Sequence, residues 1–498
     1  MKKPHILLIT ADELRKDSLG CYGNRTVKTA NLDRLSAEAF QFEHAYSASP
    51  WCLPSRCALL TGQLPHNSGA YSNFRRCELA AGIPNLFATL KQTGYRTSVH
   101  GKCHFAPVPY ETTRPDMTQP YEAFREYYLS LGIDWLDLQD DKQVSVWFRD
   151  DYAEELDRAG YLTAYRERVW DDSLAKVFPF PAPDEWHPDR WVGRKAVEYI
   201  NGYDKEEPLF CWVSFSGPHY PFDPPESYMD RVDMSLDPPR AIREGEFVDP
   251  SRIHHRSYYG NGRDIADGCY TASDYAQINY SEPYWHQLRK SYYANVALLD
   301  DEIGAIVDCS RRRWGDDILI IFTADHGEML GNHGIWGKGD CGYEDVLNVP
   351  LLVQYPGDKR HRRVTEQVQL TDLMPTCLQA AGADTSGLTL DGADLRAVIA
   401  QGGHPYVFSE GEGFITVSDG RMKYIHVRKQ GREHGELFDR LHGDPSTLPA
   451  DWLTRLPEAE PERARHIADF IAGMTDRYAL KTFEALGGEI TFPPGAII

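Results

Sequence analysis

Runs of uninterrupted apolar residues at 6–10, 209–215, 318–323 and 351–355 constrain the fold of this chain more than any other feature. A strand with one wet face alternates apolar and polar residues. A strand covered on both faces does not, and such runs mark a sheet buried between layers. Residues 97–100 add a shorter strand after Gly94. Helical patterns lie between the runs. Leu32, Leu35 and Ala39 recur at helical spacing behind Thr29 or Asn31 as a cap, and Val296, Leu299, Ile303 and Ile306 form a stripe before the third run. This alternation predicts an α/β chain with a large mixed, mainly parallel sheet between helices.

Two stretches, 105–190 and 220–290, are rich in Trp, Tyr, Pro, Asp and Gly with weak periodicity, and read as elaborated loops over one edge of the sheet. From about residue 405 short, turn-separated, partly alternating segments at 414–417, 424–427 and 436–438 predict a smaller antiparallel sheet, followed by a helix over 459–478. The expected domains are 1–400, catalytic, and 401–498, an antiparallel-sheet and helix subdomain.

A formal charge of −21 on 498 residues repels polyanions at long range, which excludes nucleic acid and acidic membrane surfaces as partners of the whole surface. No apolar run approaches the roughly 20 residues of a membrane-spanning helix. The apolar residues 6–9 give way at once to Asp12, Glu13, Arg15, Lys16 and Asp17, too early for a secretory signal, so a cytoplasmic protein is expected. Ten scattered cysteines read as reduced and mostly buried, Cys57 among them.

Chemistry concentrates where strands end. The first run leads into Asp12-Glu13 and the third into Asp325-His326, and ligands of open α/β sheets collect beyond such ends. Together the two pairs could supply a divalent-cation site; each alone reads as a cap or a solvated turn. In Ser49-Pro50-Trp51-Cys52-Leu53-Pro54-Ser55-Arg56, Pro54 suits the first turn of a helix running through 56–60, with Gly62 near its end. Cys52 then precedes a helix N-terminus, where N–H groups favour an anion, and Arg56 adds a permanent charge with planar donors. A buried structural cysteine is the alternative.

Cys52-Leu53-Pro54-Ser55-Arg56 followed by Thr61-Gly62 resembles the C-x-P-S-R…T-G signature of the formylglycine-dependent (type I) sulfatases of the alkaline phosphatase superfamily. Further elements of that family occur in the same order. They are Asp12-Glu13, Gly101-Lys102-Cys103-His104, Pro218-His219, the T-A-D-H-G-E segment 323–328, Gly337-Lys338, 371–375 and Leu437-Phe438-Asp439…Asp444-Pro445. The resemblance spans nearly the whole chain and implies an alkaline-phosphatase-like fold. It also implies that a maturation enzyme oxidises Cys52 to formylglycine, whose hydrate is the nucleophile.

By the same resemblance Asp12, Glu13, Asp325 and His326, with an oxygen of modified Cys52, hold one divalent cation. Calcium comes first, with manganese and magnesium open because imidazole suits softer ions. Arg56 pairs with metal and nucleophile, and Lys102 binds sulfate oxygens. His104 takes a proton from the second hydroxyl of the hydrate, which restores the aldehyde and expels sulfate. His219 and Lys338 bind sulfate and protonate the leaving alkoxide, and Asn73 contacts sulfate as in some relatives. Three positions depart from the commoner pattern: Cys103 stands for Trp, Glu13 for Asp or Gln, and His326 for the Asn of many arylsulfatases. His44, His100 and His333 lie near motifs but read as structural.

The implied activity is hydrolysis of organic sulfate monoesters. A phosphonate monoester or phosphodiester hydrolase of the same superfamily is the near alternative, and a non-catalytic anion-binding protein the remote one. The insert 254–286 carries His254, His255, Tyr258, Tyr259, Tyr270, Tyr275, Tyr280, Tyr284, Trp285 and His286. With Trp135, Trp147 and Phe148 these rings are expected to wall the pocket mouth for an aryl or small carbohydrate sulfate. Homo-oligomerisation is left open.

Overall fold

The computed structural model describes residues 3–73, 79, 82–106, 122–143, 145, 149–170, 177–241, 281–334, 337–338, 342–411, 414–429 and 432–439. The first strands in chain order are β1 (His5–Asp12), β2 (Phe40–Phe42), β3 (Ala45–Tyr46), β4 (Arg96–Gly101), β5 (Trp135–Leu138) and β6 (Leu209–Pro218). They are followed by β7 (Ile318–Ala324), β8 (Asn348–Val349), β9 (Leu351–Gln354), β10 (Arg362–Val364) and β11 (Val368–Gln369). Eight of them form one sheet in the order β10-β2-β9-β7-β1-β6-β4-β5. β9 runs antiparallel to both β7 and β2, and the other neighbours are parallel, so the sheet is mixed and mainly parallel. A small sheet β11-β3-β8 lies beside it in the chain.

The uninterrupted apolar runs are the central strands. Every residue of β6 and all but the first of β1 are buried, so both faces are covered. Helices Pro188–Gly202 and Glu282–Trp314 pack on each other and on β6. Phe87, in helix Leu86–Gln92, meets Phe210 and Trp212, alternate residues of one face of β6. The stripe from Val296 to Ile306 proved to be the middle of a 33-residue helix.

The stretch 105–190 differs from expectation. Its described part is not a loop: it holds helices Glu122–Ser130, Asp151–Arg158 and Leu162–Trp170 and the edge strand β5. The helical period escapes notice because the buried positions of the second helix are Tyr152, Ala153 and Leu156, among four acidic residues. Residues 242–280, and with them most of the aromatic insert, lie outside the described residues.

The chain divides into two compact units, Met1–His404 with Ser409–Glu412, and Pro405–Phe408 with Gly413–Ile498. The last strands are β12 (Val407–Gly411), β13 (Phe414–Ser418), β14 (Met422–Lys429) and β15 (Arg432–Asp439), ordered so in one sheet, and the last three, paired antiparallel, belong to the second unit. The helix expected over 459–478 lies outside the described residues.

Candidate active site

Four adjacent parallel strands, β7-β1-β6-β4, end in one place, and the residues singled out above follow their ends: Asp325-His326, Asp12-Glu13, His219 and Lys102-His104. Helix Cys52–Thr61 delivers Cys52 and Arg56 to the same point. It begins at Cys52 itself rather than after it. The Ser55 N–H closes the first turn on Trp51 O, and Pro54 fits because an N–H in that turn needs no partner. Gly62, at φ 66°, ends the helix in the left-handed conformation. Asn73 Oδ1 accepts the Leu53 N–H at 2.9 Å, so Asn73 steadies this helix start from the side.

Around Cys52 Sγ stand Lys338 Nζ at 3.1 Å, His326 Nε2 at 3.2 Å and Asp12 Oδ1 at 3.5 Å. Ligand atoms of Asp12, Cys52, Asp325 and His326 lie within 4.8 Å of one another, all buried, as do those of Asp12, Glu13 and His219. His326 Nδ1–H donates to Gly327 O at 2.9 Å, which leaves Nε2 bare and aimed into the group. That is the arrangement that orients a metal-binding imidazole. Hard carboxylates, one imidazole and residue 52 therefore fit a divalent cation. Glu13 sits to one side, with Oε2 3.2 Å from Lys338 Nζ and 3.3 Å from His219 Nε2.

Arg56 Nε pairs with Asp325 Oδ2 at 2.8 Å, and Nη1 donates to Ser214 Oγ and Lys102 O. Lys102 Nζ lies 2.5 Å from both Asp12 Oδ2 and Asp141 Oδ2. His219 Nδ1–H donates to Tyr220 O at 2.6 Å, turning Nε2 toward Glu13. His104 is buried, and neither ring nitrogen has a hydrogen-bond partner among the described residues. His104 and Glu13 also hold positive φ, 49° and 64°, a conformation side chains other than glycine rarely adopt.

Charge and burial compete throughout. Burial opposes ionisation of Asp12, but Lys102, His219, Lys338 and Arg56 outweigh it and hold the carboxyl well below the usual range. Glu13, with less help from Lys338 and His219, is pushed by burial up to about 8. Burial, then Asp12, push the Cys52 thiol up to about 12, so the unmodified sulfur is a neutral, weak nucleophile. Burial and then Lys102 drive the His104 imidazole well below its ordinary value, leaving it neutral.

One tripeptide absent from the sequence-based candidates braces both catalytic loops. Asp140 Oδ1 accepts the N–H groups of Cys103 and His104 at 2.9 and 2.8 Å, while Tyr128 OH donates to Oδ2 at 2.7 Å. Asp141 pairs with Lys102. Lys142 Nζ, fully buried, donates to Asp223 Oδ1 at 2.7 Å and to Pro221 O, just past His219. Asp189 Oδ1 holds the Gly217 N–H on the other side of that loop at 2.8 Å. The only sequence signal was three consecutive charges following β5.

The readings of Cys57 as core, and of His100 and His333 as structural, agree with the packing. Cys57 is fully buried, His100 Nδ1 lies 2.8 Å from Asp137 Oδ2, and His333 stacks on Tyr343. Two rings assigned to the pocket mouth are elsewhere. Trp135 opens β5 opposite Ser98, at the end remote from the site, and lines a separate groove with Arg96, Tyr199 and Tyr203. Trp285 is buried beneath Arg240. Of the others, Tyr284 is half-buried and His286 exposed, and Trp147 and Phe148 lie outside the described residues.

A metal-fitting cluster at the carboxyl ends of a mainly parallel sheet, with a helix-borne Cys and Arg, defines a hydrolase of the alkaline phosphatase superfamily. The sulfatase family model matches residues 4–383, and a phosphohydrolase-associated domain model matches 425–485. The arylsulfatase of Clostridium perfringens is 27% identical over 468 residues, 90% of this chain and 89% of that protein. The multifunctional alkaline phosphatase superfamily protein PehA of Trinickia caryophylli is 29% identical over 436 residues, 81% and 78% of the two chains. The phosphonate monoester hydrolase of Agrobacterium radiobacter superposes with a TM-score of 0.72 at 22% identity, over 95% of this chain and 96% of that one. The chain belongs to the sulfatase family, whose members are sulfuric ester hydrolases. No helix among the described residues is long and apolar enough to cross a membrane.

Proposed function

We propose that this enzyme hydrolyses organic sulfate monoesters, aryl or small carbohydrate sulfates, with residue 52 matured from Cys to formylglycine by a separate maturation enzyme. One divalent cation, calcium before manganese or magnesium, is held by Asp12, Glu13, residue 52, Asp325 and His326. The observation that carries this reading is the convergence of Asp12, His326 and Lys338 on Cys52 Sγ within 3.5 Å, over a helix that also presents Arg56. When bound, the cation supplies Lewis-acid polarisation of an S–O bond. The hydrated aldehyde supplies two hydroxyls where the thiol has one sulfur.

The protein's own side chains do the rest. Arg56, pinned by Asp325 and Ser214, keeps a fixed positive charge beneath residue 52. Lys102 and Lys338, both within reach of Asp12, present ammonium donors to the oxygens of the transferred group. His104, neutral and without partners at either nitrogen among the described residues, is ready to accept a proton from the nucleophilic residue. His219, fixed through its Nδ1–H to Tyr220 O, turns Nε2 toward Glu13 beside Lys338, and Lys338 Nζ supplies the proton to the departing alkoxide.

A second reading, phosphonate monoester or phosphodiester hydrolysis, is supported by the fold shared with the phosphonate monoester hydrolase of Agrobacterium radiobacter, since that substrate anion is also tetrahedral and singly charged. Lys102 and His104, which stand as the K and H of the sulfatase G-K-x-H element, favour sulfate. The net charge of −21 opposes approach of long sulfated polymers and favours small esters. The described cysteines form no disulfide, and a cytoplasmic setting remains part of this reading.

The test is free-sulfate release from a panel of aryl, monosaccharide and oligosaccharide sulfates, run beside a nitrophenyl phosphonate ester, with mass spectrometry of the residue-52 peptide. Sulfate release by protein carrying the aldehyde is the expected result. Preference for the phosphonate ester over every sulfate, or full activity with an intact thiol, would overturn the reading.

A further inference from the structure

Lys102 stands between two carboxylates, each 2.5 Å from Nζ. Asp12 belongs to the metal-fitting group and has an evident reason to be there. Asp141 has none of that kind. Its Oδ1 is fixed by the Gln143 N–H at 2.8 Å and its Oδ2 is spent on Lys102, in a residue only 5% exposed. An anion site gains no raw affinity from a second carboxylate on its lysine. That carboxylate only lowers the positive potential the anion meets.

We propose that Asp141 sets the charge selectivity of the site, trimming the positive potential at Lys102 so that singly charged esters are accepted over doubly charged phosphate monoesters. This rests on the sulfatase reading above for where the anion binds. Among the described residues the site gathers Arg56, Lys102 and Lys338 against Asp12, Glu13, Asp325 and Asp141. Removing the Asp141 carboxylate makes that sum one unit more positive. Sulfate monoesters and phosphonate monoesters carry one negative charge, whereas a phosphate monoester at pH 8 carries two. All three are tetrahedral and similar in size, so shape separates them poorly, and charge in a buried pocket is scarcely screened. Asp141 acts through Lys102 and is a positioning residue rather than a catalytic one.

The experiment compares kcat/KM for nitrophenyl sulfate, nitrophenyl phenylphosphonate and nitrophenyl phosphate at pH 8 in the mature enzyme and its Asp141→Asn, Asp141→Ser and Asp141→Glu variants. In the Asn and Ser variants the phosphate-to-sulfate and phosphate-to-phosphonate ratios should rise about ten- to a hundredfold. The sulfate-to-phosphonate ratio should hold, and Glu should restore the original selectivity. A structural role alone would lower all three activities in parallel, and that outcome overturns the proposal. Calorimetric binding of phenyl phosphate and phenyl sulfate to Cys52→Ala protein, with and without Asp141→Asn, reads the same ratio without turnover. An unchanged ratio there overturns the proposal even if the variants are inactive. If the parent enzyme cleaves the phosphonate ester but no sulfate, the sulfate reading falls, while the phosphate-to-phosphonate ratio still decides the role of Asp141.

Discussion

His104 combines three features that rarely coincide: full burial, two nitrogens without hydrogen-bond partners among the described residues, and a left-handed backbone at φ 49°. Each costs stability, and together they mark a side chain held for chemistry. In the proposed reaction, release of the leaving alcohol needs Arg56, Lys338 and His219, whereas regeneration of residue 52 needs a base. His104→Ala should therefore give a burst of about one leaving group per enzyme, followed by turnover slowed some 10²- to 10⁴-fold. Rapid-mixing kinetics with an aryl sulfate checks it. A burst from Lys338→Ala and none from His104→Ala would reverse the two roles. The sequence reached His104 only through the G-K-x-H motif, since nothing local distinguishes a histidine with empty nitrogens from a solvated one.

Between residue and fold stands the segment 140–142, which ties the loop after β4 to the loop after β6. Gly101, at φ 105°, lets β4 pass so close to β6 that a Cβ there would lie 2.0 Å from Ser214 O. The chain then turns sharply, and Asp140 receives the two N–H groups of the turn. Asp140→Ala would leave both buried and unpaired, at a cost of about 3 kcal/mol or more, and misplace His104 enough to lower kcat about a hundredfold. Tyr128→Phe removes one bond to the same carboxylate and should cost about 1 kcal/mol with kcat nearly unchanged. Urea unfolding and steady-state rates test the pair. Equal effects of the two variants on kcat would show that the carboxylate is not what positions the loop. Neither this brace nor the helices of 122–170 could be read in advance. Their apolar faces are short, Tyr152, Ala153 and Leu156 in one helix and Leu162, Tyr165 and Val169 in the next, too few residues among the charges to set a period.

At the scale of the whole molecule, positions 12, 52 and 325 become one site because β1 lies between β6 and β7 and a helix crosses their ends. A cation held there would stitch together three elements distant in sequence. Chelation should abolish turnover and lower Tm, and ion at about a thousandfold above Kd should return about 4 kcal/mol. The pH dependence has a definite sign. Glu13, raised to about 8 by burial without the ion, must lose its proton to coordinate, while burial keeps His326 below its ordinary value and already neutral. Ion affinity should thus rise by up to about tenfold per pH unit between pH 6 and 8, and Glu13→Gln should flatten that rise. Calorimetric ion titrations at the two pH values check it, and an equal slope in the variant would exclude Glu13 as a ligand.

What the sequence determined by itself is the layered α/β architecture and the candidates for the reacting groups. Both are local or strongly patterned: a strand buried on two faces must be apolar throughout, and an ordered motif such as Cys52-Leu53-Pro54-Ser55-Arg56 survives inspection one residue at a time. Only the tertiary structure decided which charges face each other. Asp141 meets Lys102 across 39 positions, Lys142 meets Asp223 across 81, and Trp135 departs from the site to a groove at the far end of its strand. Such pairings are set by strand order and register, and those follow from how whole faces are buried rather than from any pattern along the chain.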